Sequence, residues 1–198
     1  MHKPSRKSLF LLLITASLYS LIYLSINWYS FNYQPQNKFF FDWELSIPFI
    51  ESFILLYFSA YISFVPVFLL FKYEEHLKIS KALISSAIFG AIVFLVYPTV
   101  CGYKRDLNNV IYFKELYHFL WNQDNPVTLM PSFHVQMSTI FLIPIIKKVR
   151  TKCWQIFNSM WLVLICLSIV LVHQHHLADI FTGFFLGLIP VKYFRVGE

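Results

Sequence analysis

Charge is scarce in this sequence. Asp, Glu, Lys and Arg make up 13% of its 198 residues, where soluble domains carry roughly 25%. That is too little to cover a water-exposed surface, and it excludes a disordered chain, which needs high charge and low hydrophobicity. Glycine occurs only 5 times, which excludes a collagen-like repeat. Cys101, Cys153 and Cys166 form no C-x-x-C pair and no disulfide framework; they read as free thiols. There is no internal repeat and no low-complexity tract. What remains is apolar: 58% of residues are hydrophobic and 20% aromatic, with a mean hydropathy of +0.60. The length suits one domain, 1–198, and the solvent for most of it is lipid.

The net charge is +6. Its basic residues sit in short stretches between apolar runs, so they report membrane topology rather than nucleic acid. A bilayer core of about 30 Å takes ~20 apolar residues per helix. Six segments approach that length: 9–26, 53–71 (interrupted by Pro66), 82–97, 131–146, 153–172 and 177–194. The fourth carries His134 and Gln136, and polar residues inside a span face protein or a water-filled site. The first follows Lys3, Arg6 and Lys7 and reads as a retained signal anchor. With the N-terminus in the cytoplasm, 12 of the 16 Lys and Arg fall inside, and Lys38, Lys104, Arg105 and Lys114 fall outside. That bias predicts both termini in the cytoplasm. Residues 28–49 are rich in Trp, Tyr and Phe and are expected to lie flat at the outer headgroup layer.

Three polar stretches then meet the outer face. In Pro131-Ser132-Phe133-His134, proline suits a first helical turn, and a serine at a helix start leaves its hydroxyl and nearby N–H groups to hold an anion. In His173-Gln174-His175-His176-Leu177-Ala178-Asp179, residues four apart share a helix face. A carboxylate on one imidazole nitrogen leaves the other as nucleophile or base. His175 and His176 are both placed to partner Asp179. In the turn 97–105, Lys104 and Arg105 are suited to phosphate, arginine with a bidentate fork. A metal site using His134, His173, His175 and Asp179 is a competing reading, but it leaves both cations unexplained.

Together these stretches resemble the type 2 phosphatidic-acid phosphatase family, which is related to vanadium haloperoxidases. Pro131-Ser132-Phe133-His134 is similar to its P-S-G-H motif, and His175 to Asp179 supplies its H-x-x-x-D, which favours His175 as the partner of Asp179. Asp124-Asn125-Pro126 and Tyr97-Pro98-Thr99 resemble a branch containing inositol-phosphorylceramide-synthase-like proteins. Phe133 stands where the family has glycine or leucine, and Ile169 where its third motif has arginine. Of its basic first motif only Lys104-Arg105 remain.

The resemblance implies an all-α bundle of six transmembrane helices. It implies a lipid phosphatase without metal or other cofactor, acting on a lipid phosphate among membrane lipids and binding no nucleic acid. His175 would be the nucleophile, Asp179 its orienting carboxylate and His134 the general acid and base. Arg105, Lys104, Ser132 and His173 would hold the phosphate. Phosphoryl transfer to an alcohol, or a catalytically weakened member, are the alternatives. The compact chain, which has no N-x-S/T site, suggests a bacterial inner membrane with an extracytoplasmic active site.

Overall fold

The structure, a computed structural model, describes residues 5–34 and 36–198; Lys3 lies outside them. Helix α1 spans Arg6–Tyr33, α2 Ile54–Ile62, α3 Phe64–Leu70, α4 Tyr73–Val96, α5 Lys114–Gln123, α6 Phe133–Lys148, α7 Lys152–Leu171 and α8 Leu177–Tyr193. Among the described residues there is no β-strand, only isolated bridges between loops.

The helix limits follow local chemistry. Ser5 caps α1, its hydroxyl accepting from the Ser8 N–H. Helix α1 then runs on through Trp28 to Tyr33, so the start of the aromatic stretch is helical and only residues beyond it form loops and 3-10 turns. The second apolar segment breaks at Ser63 because Pro66 has no N–H for the carbonyl four residues back. Amphipathic α5 is an element that the hydropathy runs do not signal. It buries Tyr117 and Leu120 and donates from the Tyr117 hydroxyl to the Glu51 carbonyl at 3.2 Å.

Among the described residues, four segments are long and apolar enough to cross a membrane: Arg6–Tyr33, Glu51–Leu70, Tyr73–Val96 and Lys152–Leu171. The six expected from the sequence thus reduce to four by this measure. Helices α6 and α8 have 16 and 17 residues, short of the ~20 that span a bilayer core, and α6 is diluted by polar groups. The reason for the polarity is position. Helix α6 is buried along most of its length, with Val135, Gln136, Ser138, Thr139, Ile140, Phe141 and Leu142 all inside. The side-chain Oε1 of its Gln136 accepts from the Ser86 hydroxyl of α4 at 2.6 Å.

Helix α8 packs most closely on α6. Gly183 and Gly187, four apart, face it, and a methyl built on either would sit 2.6 Å from the Ser132 carbonyl or 2.7 Å from that of Gln136. Small residues at this spacing let two backbones approach within a membrane. The opposite face of α8 exposes Phe181, Phe185 and Ile189. Two apolar clusters fill the bundle. One gathers Val67, Phe71, Leu83, Phe94, Ile140 and Ile145; the other places Ile54, Tyr57, Tyr117, Val135 and Ile169 beside the loops that carry the polar motifs.

Candidate functional site

The end of α7 and the start of α8 build the seat of His175. The His173 N–H bonds the Val170 carbonyl at 2.9 Å and the Gln174 N–H bonds the Ile169 carbonyl at 3.0 Å. This is a Schellman termination, with His173 in the left-handed position at φ 57° that glycine usually fills. Three residues later His176 caps α8, and the Asp179 carboxylate reaches back to its N–H at 2.8 Å. His175 is therefore held just before the helix rather than on its face. Its Nδ1 lies 3.2 Å from the same Asp179 Oδ2. One carboxylate both caps α8 and orients His175.

Ser132 stands opposite. It caps α6, its Oγ accepting from the Val135 N–H at 3.4 Å, so Pro131 precedes the cap instead of opening the first turn. The same Oγ is 3.3 Å from His175 Nε2, and the Ser132 N–H donates to the Asp179 carbonyl at 3.1 Å. His134 lies one residue into α6. Its Nδ1 is 3.3 Å from the Tyr57 hydroxyl, while its Nε2 is buried with no hydrogen-bond partner. His175 and Asp179 are themselves 6% and 1% exposed, so both are buried.

Hydrogen bonds tie the three loops together. The Thr99 hydroxyl accepts from the N–H groups of Leu129 and Met130 at 3.2 and 3.0 Å. The Cys101 N–H bonds the Pro126 carbonyl at 2.9 Å, and the Gly102 N–H donates to His176 Nε2 at 3.1 Å. Arg105 is turned inward. Its guanidinium donates to the Asp124 carbonyl and to Gln174 Oε1 at 3.1 Å, and its Nε has no acceptor.

Lys104 is exposed and lines, with Arg105, Tyr103, Trp121 and His173, a cavity of about 350 Å³. His173 has its Nε2 2.9 Å from the Ile47 carbonyl and stacks on Tyr103 with centroids 3.9 Å apart. It thus closes the end of α7 while its ring lines the same cavity as Lys104 and Arg105. Ile169 is fully buried in the apolar cluster, so the arginine position of the third motif is core here. Phe133 packs on Tyr19, Tyr23 and Phe94 at 5.1–5.2 Å, filling the space between α1, α4 and α6.

Three contributors were not legible as motifs. Glu44, an isolated acid within the aromatic stretch, is 1% exposed; its Oε2 accepts from the Leu177 N–H at 2.8 Å and lies 3.5 Å from His176 Nδ1. Burial lowers the His176 pKa, against the opposing pull of Asp179 and Glu44. Tyr23 of α1 donates to Asp124 Oδ1 at 2.6 Å. Burial raises the Asp124 pKa, with the Tyr23 hydrogen bond and Arg105 acting against it. Asn27 clasps the loop after α5, donating to the carbonyls of Asn125 and Val127 at 3.1 Å.

A second cavity, of about 620 Å³, runs between α1, α2, α3 and α6. Its walls are apolar and aromatic, including Leu12, Tyr19, Tyr61, Phe64, Met137 and Phe141, and Asp124, His134 and His175 line it too. Among the described residues no cluster of three or more His, Cys, Asp or Glu side chains is arranged to hold a metal.

The PAP2 superfamily model matches residues 36–192. The chain belongs to that superfamily and is a type 2 phosphatidic-acid phosphatase-family protein. The match takes in the loops of the candidate site and leaves out α1, which nevertheless supplies Tyr19, Tyr23 and Asn27. No curated protein sequence matches the chain. PAP2 membership supports phosphatase or phosphotransferase activity, and with the four apolar helices it supports a membrane protein.

Proposed function

We propose that the protein is a metal-independent lipid phosphatase working through a phosphohistidine. The observation that carries this reading is the placing of His175 and His134 on one largely apolar cavity, with Asp179 on Nδ1 of the first and no partner on Nε2 of the second. Asp179 accepts the Nδ1–H of His175 and leaves the Nε2 lone pair to attack phosphorus; the Ser132 hydroxyl turns from Nε2 to a phosphate oxygen. His134, protonated once the phosphate anion is bound beside it, donates Nδ1–H to the Tyr57 oxygen and gives its Nε2 proton to the leaving oxygen. It then takes a proton from the incoming water. Arg105, with Lys104 above it and the N–H groups at the start of α6, stabilises the equatorial oxygens. The lipid tail occupies the apolar cavity while the headgroup meets the loops. This reading treats α6 and α8 as short central spans completing six. It puts both termini in the cytoplasm and the site on the extracytoplasmic face, for which a bacterial inner membrane is the proposed setting.

The test is phosphate release by detergent-purified protein from phosphatidate, phosphatidylglycerophosphate, an isoprenyl diphosphate and a lipid A phosphate, with EDTA present. Release that survives EDTA and vanishes in His175→Ala supports the proposal. Full turnover in His175→Ala overturns it.

A further inference from the structure

Asp124 is a carboxylate lining the cavity that His134 and His175 also line, and the steps above leave it without a task. Its position is fixed from several sides. The Tyr23 hydroxyl bonds its Oδ1, Arg105 bonds its carbonyl, and its N–H ends α5 on the Leu120 carbonyl at 3.1 Å. The next residue, Asn125, is held by Asn27, whose Oδ1 accepts from its N–H at 3.1 Å and its side-chain amide at 3.0 Å. Oδ2 accepts no hydrogen bond from the described residues, although it is not sealed in the protein. A carboxylate beside a phosphate repels it, so binding the substrate gives no reason to hold one here so firmly. The cleavage of the phosphohistidine does, because that step brings in a neutral molecule whose hydrogens need acceptors.

We propose that Asp124 holds the water that hydrolyses the phosphohistidine, and that it favours water over an alcohol. This rests on the phosphatase reading above. The water donates one hydrogen to His134 Nε2 and the other to Asp124 Oδ2. Its oxygen forms a bond to phosphorus as the bond from phosphorus to His175 Nε2 breaks, the electron pair returning to that nitrogen. The first proton passes to His134; the second stays on the new phosphate hydroxyl, hydrogen-bonded to Asp124. An alcohol has one hydroxyl hydrogen, which His134 must take, and it turns carbon towards the carboxylate. A charged group facing carbon loses its solvation without compensation.

The experiment is rapid alkaline quenching, which preserves phosphohistidine, with radiolabelled phosphatidate in detergent micelles, with and without glycerol. In Asp124→Asn, phosphorylation should stay within about threefold of wild type while dephosphorylation slows about 100-fold, in the range of lost acid–base assistance. Labelled protein then accumulates, and the share of label found in phosphoglycerol rises at least about tenfold. Tyr23→Phe, which removes only the donor to Oδ1, should move both readouts the same way by a smaller factor, and it decides the matter if Asp124→Asn does not fold. Equal slowing of both steps, or an unchanged product ratio, overturns the proposal. If His175→Ala turns over as wild type, the phosphatase reading itself has failed. If His175→Ala is dead and Asp124→Asn behaves as wild type, only the role of Asp124 has.

Discussion

The contact between α6 and α8 gives the sharpest structural test. Adding one methyl at Gly183 places a carbon 2.6 Å from the Ser132 carbonyl oxygen and 3.2 Å from Val135 Cβ. Carbon–oxygen contacts of this kind settle at about 3.3–3.6 Å, so α8 must retreat by about 0.7 Å. The atom it meets is backbone and cannot swing aside. Overpacking of this sort costs about 1–3 kcal/mol. The same retreat stretches the bond from the Ser132 N–H to the Asp179 carbonyl, now 3.1 Å, to about 3.8 Å, beyond hydrogen-bond range. It also moves His175 and Asp179 away from Ser132. Misplacement on this scale lowers turnover by about 10- to 100-fold. The assay is lipid phosphate hydrolysis beside thermal unfolding in detergent for Gly183→Ala, with Phe181→Ala on the 65% exposed outer face as control. Wild-type activity and unfolding temperature in Gly183→Ala would refute the close approach.

Two further outcomes follow from burial. Ile169→Arg restores the family's arginine, yet it puts a charge where the side chain is fully buried among Ile54, Tyr57 and Val135. An unpaired buried charge costs several kcal/mol, so the variant should fail to yield folded protein; a stable, more active variant would contradict the placing of that helix face. Stability should also fall in acid. Burial lowers the pKa of both His173 and His176 in the fold. Their contribution is therefore complete above the unfolded value of about 6.5 and is lost as pH falls through the folded values. Unfolding temperatures measured from pH 8 down to 5 should drop below 6.5, and less so in a His173→Gln, His176→Gln double variant. An unchanged slope in that variant would show that other groups govern it.

What was legible in the sequence was whatever is local. Hydropathy marks α1, α4 and α7 because a lipid-facing helix must be apolar over its whole length. Pro66 predicts a break because the missing N–H acts within one turn. The pairing of His175 with Asp179 was legible from spacing, but for a different local reason than a shared helix face: the carboxylate caps α8 and meets the histidine from inside the helix.

What only the tertiary structure decided is whatever depends on distant parts of the chain. Helix α6 reads as a poor span because it carries polar residues that the fold buries among its neighbours, Gln136 Oε1 accepting from Ser86 of α4, a setting absent from its own residues. His173, expected as a phosphate ligand, sits in a left-handed cap against Tyr103 and Ile47 while lining the cavity of Lys104 and Arg105, a placing that its own stretch of sequence does not show. Glu44, Tyr23 and Asn27 carry no motif at all; they matter because the fold brings them to His176, Asp124 and Asn125. The chemistry of single residues was set by the sequence, and their partners were set by the close approach that Gly183 and Gly187 permit and by the loops that meet above it.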